Sequence, residues 1–453
     1  MKRHGKCAAI NACPSANRVY SHCGKKLKAL FVTLDHIFSR ARLAIALCCG
    51  AFLGLHCAAA PILEFNPPAG GVDPEGITLG PDGNLWFVEY VANQIGRIDT
   101  NGVITEFPIP GPGSLPIDIV TGPDGNLWFT QFSGSSIGQI ATNGTIKQFP
   151  LPTGVIGHGL TLGPDNRLWV LDLGAQTYIP GTPTNGGVVA LAIGTNGPIS
   201  TNYYNSNLTI VSRPVNIVTG PDNRLYFTEG SAGKIGIITT NGVISELTLP
   251  FTNVSPCDIT VGPDGNLWFT EYLSNQVARL DTNLNLTEFA LPPITNSYVS
   301  GNDRPYGIIT GPDGNLWYSD KSATAIGRIT PGATNISVTQ YSTPTTNSNP
   351  TYLAVGADSN IWFGEFPFNY SGYQSHIARF TIAPISLSIQ ITNTNAVISW
   401  TTNLGPGSVL LTNADLTTTN WGTLVVTPTV VSNRYVVTNP IPPTTNLFFR
   451  LIE

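Results

Sequence analysis

Seven positions in this chain carry an acid or an amide at one fixed place, three residues after an aromatic: Glu89, Gln131, Asp172, Glu229, Glu271, Asp320 and Glu365. Carboxylates repeated in this way could hold a hard divalent cation, Mg2+ or Ca2+, and Glu89, Glu271, Asp320 and Glu365 are the candidate ligands. The competing reading is structural, because a polar residue present in every copy of a repeat can satisfy backbone donors between copies. Residues that break the symmetry say more. Only two histidines follow residue 60, His158 and His376. His158 faces Asp172 in the strand pattern below, a combination that could orient an imidazole as a general base. A polar pair at a sheet end also forms for purely structural reasons. His376 reads as a surface residue, and Cys257 as a small buried hydrophobe.

The elements that must position these groups are legible in a repeat. "GPDGNLWF" stands at 80–87, 122–129 and 262–269, and "GPDGNLWY" at 311–318. The key aromatic falls at Trp86, Trp128, Trp169, Tyr226, Trp268, Trp317 and Trp362, with spacings of 42, 41, 57, 42, 49 and 45 residues. Within a copy, "GITLG", "LWFVE", "NQIGRID" and "VITEFPI" are strand-like runs joined by turn residues, with no helical period. Four strands per copy and seven copies predict an all-β fold, a seven-bladed β-propeller spanning 61–383. In the "PDGN" turn, proline presets φ, aspartate hydrogen-bonds local backbone, and glycine allows φ > 0. Asn166 and Asn223 replace that glycine in two copies, and asparagine tolerates the left-handed region, so the motif marks a turn. A calcium loop of the EF-hand kind would need further spaced acids, which are missing.

Hairpin geometry then sets the face. Counting back from the "PDGN" turn, Glu75 is expected opposite Glu89, and His158 opposite Asp172. First strands open with Glu75, Ile117, His158, Val215, Cys257, Tyr306 and Thr351, followed by residues such as Asp118, Asn216, Asp258 and Tyr352. All are expected to ring one mouth of the central channel. Glu75, Asp118, Gln131, Asp258, Tyr306 and Tyr352 are the candidate ligand-binding residues there, with His158 and Asp172 as the candidate catalytic pair. The loops at 173–187 and 366–375, the latter with Phe366, Phe368, Tyr370 and Tyr373, either form a recognition surface or cover blade edges. A small molecule, peptide or glycan is the expected partner.

Both ends of the repeat region are informative. "ILEF" at 62–65 matches the fourth strands "ITEF" and "LTEF" but precedes the first copy, and the last copy lacks a fourth strand. Ile62–Phe65 is therefore predicted to pair with the strand near Ile377–Thr381 and to close the ring. Residues 384–453 change character, with short strand-like runs separated by Asn, Thr, Pro and Gly, and predict a small C-terminal β-sandwich. Residues 1–60 hold nine of the 22 Lys+Arg, one acid and six of the seven cysteines. They end in an 18-residue apolar run closing in Ala58-Ala59-Ala60, which reads as a secretory signal with cleavage; a retained anchor is the alternative. Export from a bacterium, to the medium or the periplasm and cell envelope, follows from that reading. After cleavage the net charge would be −13, which argues against nucleic acid as a partner. Cys257 alone would remain, so neither an intrachain disulfide nor a zinc–thiolate site could form. A monomer is expected, with no membrane-spanning helix.

The stretch "PEGITLGPDGNLWFVEYVANQIGRIDTNGVITEFPIP" at 74–110 resembles the blade text of the virginiamycin B lyase family, and the likeness runs through residues 62–383. The C-terminal segment loosely resembles fibronectin-type-III-like modules. The lyase resemblance implies a propeller in which a metal ion polarises an ester carbonyl while a histidine takes an α-proton, opening a cyclic depsipeptide by elimination. The residues that would do this are changed. At the family's Pro-His-x-Ile stands Pro305-Tyr306-Gly307-Ile308, and at its Glu-Pro-His-Gly-Ile stands Asn349-Pro350-Thr351-Tyr352-Leu353. Glu365 lies one residue nearer the tryptophan than the family's glutamate. These departures favour a ligand-binding or scaffold protein; the alternative is a metal-assisted lyase or lactone hydrolase using the acidic ring or His158.

Overall fold

The computed structural model describes residues 62–68, 72–174, 186–209, 211–250, 254–292, 304–322, 324–367 and 374–382, and the C-terminal strands within 388–452. The expected signal at 1–60, most of the loop at 173–187, and Phe368, Tyr370 and Tyr373 lie outside the described residues. Seven four-stranded antiparallel meanders are present. Their innermost strands are Pro74–Leu79, Pro116–Thr121, Gly157–Leu162, Pro214–Thr219, Pro256–Val261, Pro305–Thr310 and Ser348–Val355, numbered here as blades one to seven. Each innermost strand neighbours the next, and the seventh neighbours the first, so the ring is closed around an axis.

Closure follows the sequence expectation. Ile62–Phe65 is the outermost strand of blade seven, with Ile62 opposite Phe380 and Phe65 opposite Ile377. Phe65 stacks on Trp362 at 5.5 Å, as Phe107 stacks on Trp86 at 5.4 Å within blade one. The N-terminal strand thus makes the ring contact that the local fourth strands of blades one, two, three, five and six make, and an open sheet edge is covered.

The second strands explain the recurring apolar words. Trp86, Phe87, Trp128 and Phe129 are fully buried, because each blade packs neighbours on both faces. Such a ring buries about 150–250 Å2, worth about 4–6 kcal/mol at about 25 cal/mol per Å2. The turn holds the ring in register. Asp82 Oδ1 accepts the Asn84 amide at 3.2 Å and the Trp86 indole N–H at 3.0 Å. Gly83 has φ 77°, and Asn166 and Asn223 reach φ 62° in its place, as the turn reading requires.

One expectation about register is corrected. Pro74 pairs with Glu89 and Ile77 with Phe87, so an extra residue is inserted between them. The same shift places Gly157, not His158, opposite Asp172. This β-bulge leaves Glu75 and His158 one step away from the acids they were expected to face. In blade two the Thr130 hydroxyl braces the bulge, accepting the amide of Asp118 at 3.2 Å and donating to the His158 carbonyl of the next blade at 2.6 Å, while Val88 and Leu171 hold this place in blades one and three, which bulge without it. Thr228 and Thr270 make the matching bonds to the Cys257 and Tyr306 carbonyls.

After the propeller, the described strands form a four-stranded and a three-stranded antiparallel sheet. Among the described residues no helix is long and apolar enough to cross a membrane.

Candidate functional site

The bulge turns one residue of each first strand toward the channel. Glu75, His158 and Tyr306 occupy these positions, each partly buried. Lys321 joins them from the residue after the blade-six acid. Its ammonium lies 3.6 Å from Glu75 Oε1 and 3.7 Å from the centre of the Tyr306 ring, with the Phe366 ring at 5.1 Å. Tyr306 in turn packs on Tyr352 at 5.0 Å and edge-on to Tyr272 at 6.2 Å. Arg304 lies over Tyr272 at 5.3 Å. One sector of the mouth is therefore an aromatic wall around a single ion pair. Burial raises the Glu75 carboxyl, and Lys321 pulls it back. Burial and the nearby Glu75 hold both the Tyr306 and Tyr352 phenols well above their usual range, so both stay protonated and can donate.

His158 stands apart from Asp172. Its Nδ1 lies 2.7 Å from the Val215 carbonyl and so carries the proton, leaving Nε2 as an acceptor. Burial brings the imidazole down to about 4, so it is neutral near pH 7. Asp172 is held elsewhere: its Oδ1 accepts the amides of Ile156 and Gly174 at 2.9 and 3.1 Å, and its Oδ2 accepts the Tyr203 hydroxyl at 2.8 Å. The expected His158–Asp172 dyad is not formed.

Asp118 and Asp258, expected to bind ligand, act as staples between blades. Asp118 accepts Ile119 N at 2.8 Å and Leu160 N of blade three at 2.9 Å. Asp258 accepts Ile259 N at 2.8 Å and Ile308 N of blade six at 2.7 Å. Burial pushes their carboxyls up to about 7 and about 8. Both oxygens of each carboxyl are engaged between blades by backbone amides, and Asp258 also accepts the Asn216 side-chain amide.

The seven-fold acidic position does not line the channel either. Glu89, Gln131, Glu271, Asp320 and Glu365 are buried inside their own blades, at the start of the hairpin to the third strand. Gln131 binds Ser136, Glu271 accepts Ser274 Oγ at 3.2 Å, and Asp320 accepts Arg304 N at 3.0 Å. Glu89 faces Glu106 and is pushed up to about 8 by burial and that neighbour. The expectation of a metal-binding ring formed by Glu89, Glu271, Asp320 and Glu365 is corrected by this placement: each is buried within a different blade rather than gathered at one site.

The mouth does not fit the metal that the lyase resemblance implies. Tyr306 offers a protonated phenol, and the Thr351 hydroxyl is already tied to the Pro74 and Gly364 carbonyls at 2.9 and 3.3 Å. Thr351 and Tyr352 are both buried, and the run Asn349-Pro350-Thr351-Tyr352 itself brings no carboxylate or imidazole. Lys321, Arg304 and Tyr272 were missed from the sequence. The signal was present: the residue following each acid varies as Tyr90, Phe132, Leu173, Gly230, Tyr272, Lys321 and Phe366, and variation against an invariant scaffold marks a specificity position.

A model of the Virginiamycin B lyase family matches residues 53–198 and 188–415. Among curated proteins there is no match. A solved streptogramin B lyase is 29% identical, covers 71% of this chain and 97% of its own, and superposes with a TM-score of 0.60. Virginiamycin B lyase from Staphylococcus aureus is likewise 29% identical, over 71% of this chain and 99% of its own, with a TM-score of 0.60. The extracellular domain of a Bacteroides thetaiotaomicron hybrid two-component system is 14% identical over 87% of this chain and 55% of its own, at a TM-score of 0.53, and shares the fold alone. The repeat text, the closed ring of seven blades and a family match over most of its length lead to one conclusion: the chain belongs to the virginiamycin B lyase family.

Proposed function

We propose that this protein is a ligand-binding member of the family, exported from a bacterium, which holds a small molecule, peptide or glycan at the propeller mouth without the family's ring-opening elimination. The observation that carries this reading is the exchange at the catalytic positions. Tyr306 and Thr351 stand where the resemblance implies histidines, and they are built into a packed wall of Tyr306, Tyr352, Tyr272 and the Lys321–Glu75 pair. Aromatic faces with a cation and hydroxyl donors suit a ligand with a flat or cyclic apolar body and carbonyl acceptors.

A streptogramin B antibiotic is the discriminating probe, since the S. aureus enzyme has been solved as an inactive variant with quinupristin. Incubation should yield no ring-opened product by chromatography. A thermal-shift panel of cyclic peptides and cell-wall glycans should contain a stabilising ligand whose affinity falls at least about tenfold in Lys321→Met, the loss expected for about 1.4 kcal/mol. Ring opening by the wild type would overturn the proposal.

A second reading, a lyase or lactone hydrolase with a relocated base, is favoured by His158, whose acceptor nitrogen is neutral at physiological pH. Turnover of a depsipeptide or lactone that disappears in His158→Ala would establish it.

A further inference from the structure

In blades one, four, five and seven the buried glutamate that ends the second strand meets two other residues: the first of the third strand and one from the fourth. The blades compensate its charge in different ways. In blade four, Lys234 lies between the two acids: its ammonium bonds Glu246 Oε2 at 2.5 Å and its charge favours ionised Glu229 from nearby. In blades one and five the third residue is Gln94 or Gln276, and Glu89 and Glu271 are pushed up to about 8 and about 7, toward the neutral form. In blade seven the place of Lys234 is taken by His376, opposite Glu365, and the fourth-strand carboxylate is Glu64, supplied by the N-terminal segment that closes the ring.

These three side chains form a set that no other blade repeats. One ligand atom from each of Glu64, Glu365 and His376 lies within 4.8 Å of the other two. Glu365 is fully buried and His376 is 9% exposed. Glu365 Oε2 has no hydrogen-bond partner, as is true of oxygens of Glu89, Glu229 and Glu271. Among the described residues, however, only in blade seven does a buried ring nitrogen, His376 Nδ1, stand unpartnered beside it, and this pair calls for an occupant. The remaining atoms are fixed from outside. Ser348 Oγ donates to Glu365 Oε1 at 2.9 Å, and Thr345 donates to both Glu64 oxygens, through N at 2.8 Å and Oγ1 at 2.7 Å. Ligating carboxylates held by such donors are characteristic of metal sites. Glu64 is only half-buried and leaves a path for an ion.

We propose that the interior of blade seven binds one divalent transition ion, zinc by the character of its donors, through Glu64, Glu365 and His376. An imidazole with two carboxylates suits zinc rather than Mg2+ or Ca2+, which take oxygen ligands. Zinc bonds of about 2.0–2.2 Å set tetrahedral ligand atoms about 3.3–3.6 Å apart, so the three groups need only draw in slightly. The ion supplies the charge that Lys234 supplies in blade four. Because Glu64 comes from the other end of the chain, the ion also clasps the ring closed. The site is separate from the channel mouth and does not depend on what binds there.

The test uses untagged, chelator-stripped full-length protein and Zn2+ alone. Calorimetry should show uptake of one ion per chain, and a hundredfold excess over Kd should raise Tm by about 3–4 °C. Glu64→Gln and His376→Gln should each lose both effects, while His158→Gln should keep them. Cobalt provides a readout that needs no variant: Co2+ should give the visible band of a low-symmetry nitrogen–oxygen site, displaced by one equivalent of zinc. No stoichiometric uptake by the wild type, no visible cobalt band, or uptake retained in both Glu64→Gln and His376→Gln would each overturn the proposal. A Tm that follows pH but ignores zinc would assign the pocket to a shared proton instead, and would overturn it equally.

Discussion

Glu89 shows how a buried carboxyl governs pH dependence. Its folded value of about 8 lies above the ordinary carboxylate value of 4.5, so the folded state holds the proton longer. That contribution is complete below the unfolded value and is lost as pH rises through about 8. Glu229 and Asp258, also near 8, act in the same sense. His158 acts oppositely: with a folded value of about 4 it penalises the folded state as pH falls below 6.5. With three such acids against one histidine, thermal stability is expected to fall as pH rises from about 5 through about 8, and to level off above that. Glu89→Gln, which copies the natural Gln131 of blade two, should flatten the alkaline limb and recover on the order of 1–2 kcal/mol at pH 9. Melting curves across pH 5–9 decide this; an alkaline slope equal to that of the wild type would refute it.

At the scale of the element, the blade depends on small residues under large rings. A Cβ on Gly96 would meet Phe87 Cζ at 2.1 Å, and one on Gly236 would meet Phe227 at 2.1 Å. Gly96→Val should therefore cost at least about 1–3 kcal/mol, the range for overpacking, read as a drop in the urea midpoint. The turn aspartate is a second test. Asp124 Oδ1 accepts both the Asn126 amide and the Trp128 indole N–H, at 3.3 and 2.9 Å. Asp124→Ala leaves a buried indole donor unpaired and should cost about 1–3 kcal/mol. If Asp124→Ala melts with the wild type, the motif is not what pins the ring. The "PDGN" words were readable as a turn from residue chemistry alone. Their second duty, gripping the indole, was not, because it depends on how the strand after the turn brings Trp128 back over Asp124.

At the scale of the molecule, stability depends on joining chain ends that are some 300 residues apart in sequence. Thr351 Oγ1 bonds the Pro74 carbonyl at 2.9 Å, and Thr345 bonds Glu64, so blade seven is tied to the N-terminal region at two levels. Ile62 is 2% exposed in the seventh-blade core. Ile62→Ala should cost about 2–5 kcal/mol. Deleting 62–65 should do more than lower Tm, since it bares the edge strand His376–Phe380 and invites association. Light scattering that rises with protein concentration in the deletion variant, and not in Ile62→Ala, is the expected result. A deletion variant that stays monomeric and melts like the wild type would show that the clasp is dispensable.

Period, turn chemistry and strand patterning sufficed to specify seven blades, the closing strand and the aromatic core. These follow from local preference repeated seven times, and repetition averages out local error. The site was legible only in part. Glu75 and His158 are paired one residue away from the partners assigned to them. A bulge shifts side-chain pairing without leaving a sequence mark of its own: it recurs beside Val88 in blade one, Thr130 in blade two and Leu171 in blade three. The ion pair of Lys321 with Glu75, and the meeting of Glu64 with Glu365 and His376, join residues of different blades or opposite chain ends. Only closure of the ring brings such groups within a few ångströms, so only the tertiary structure decides them.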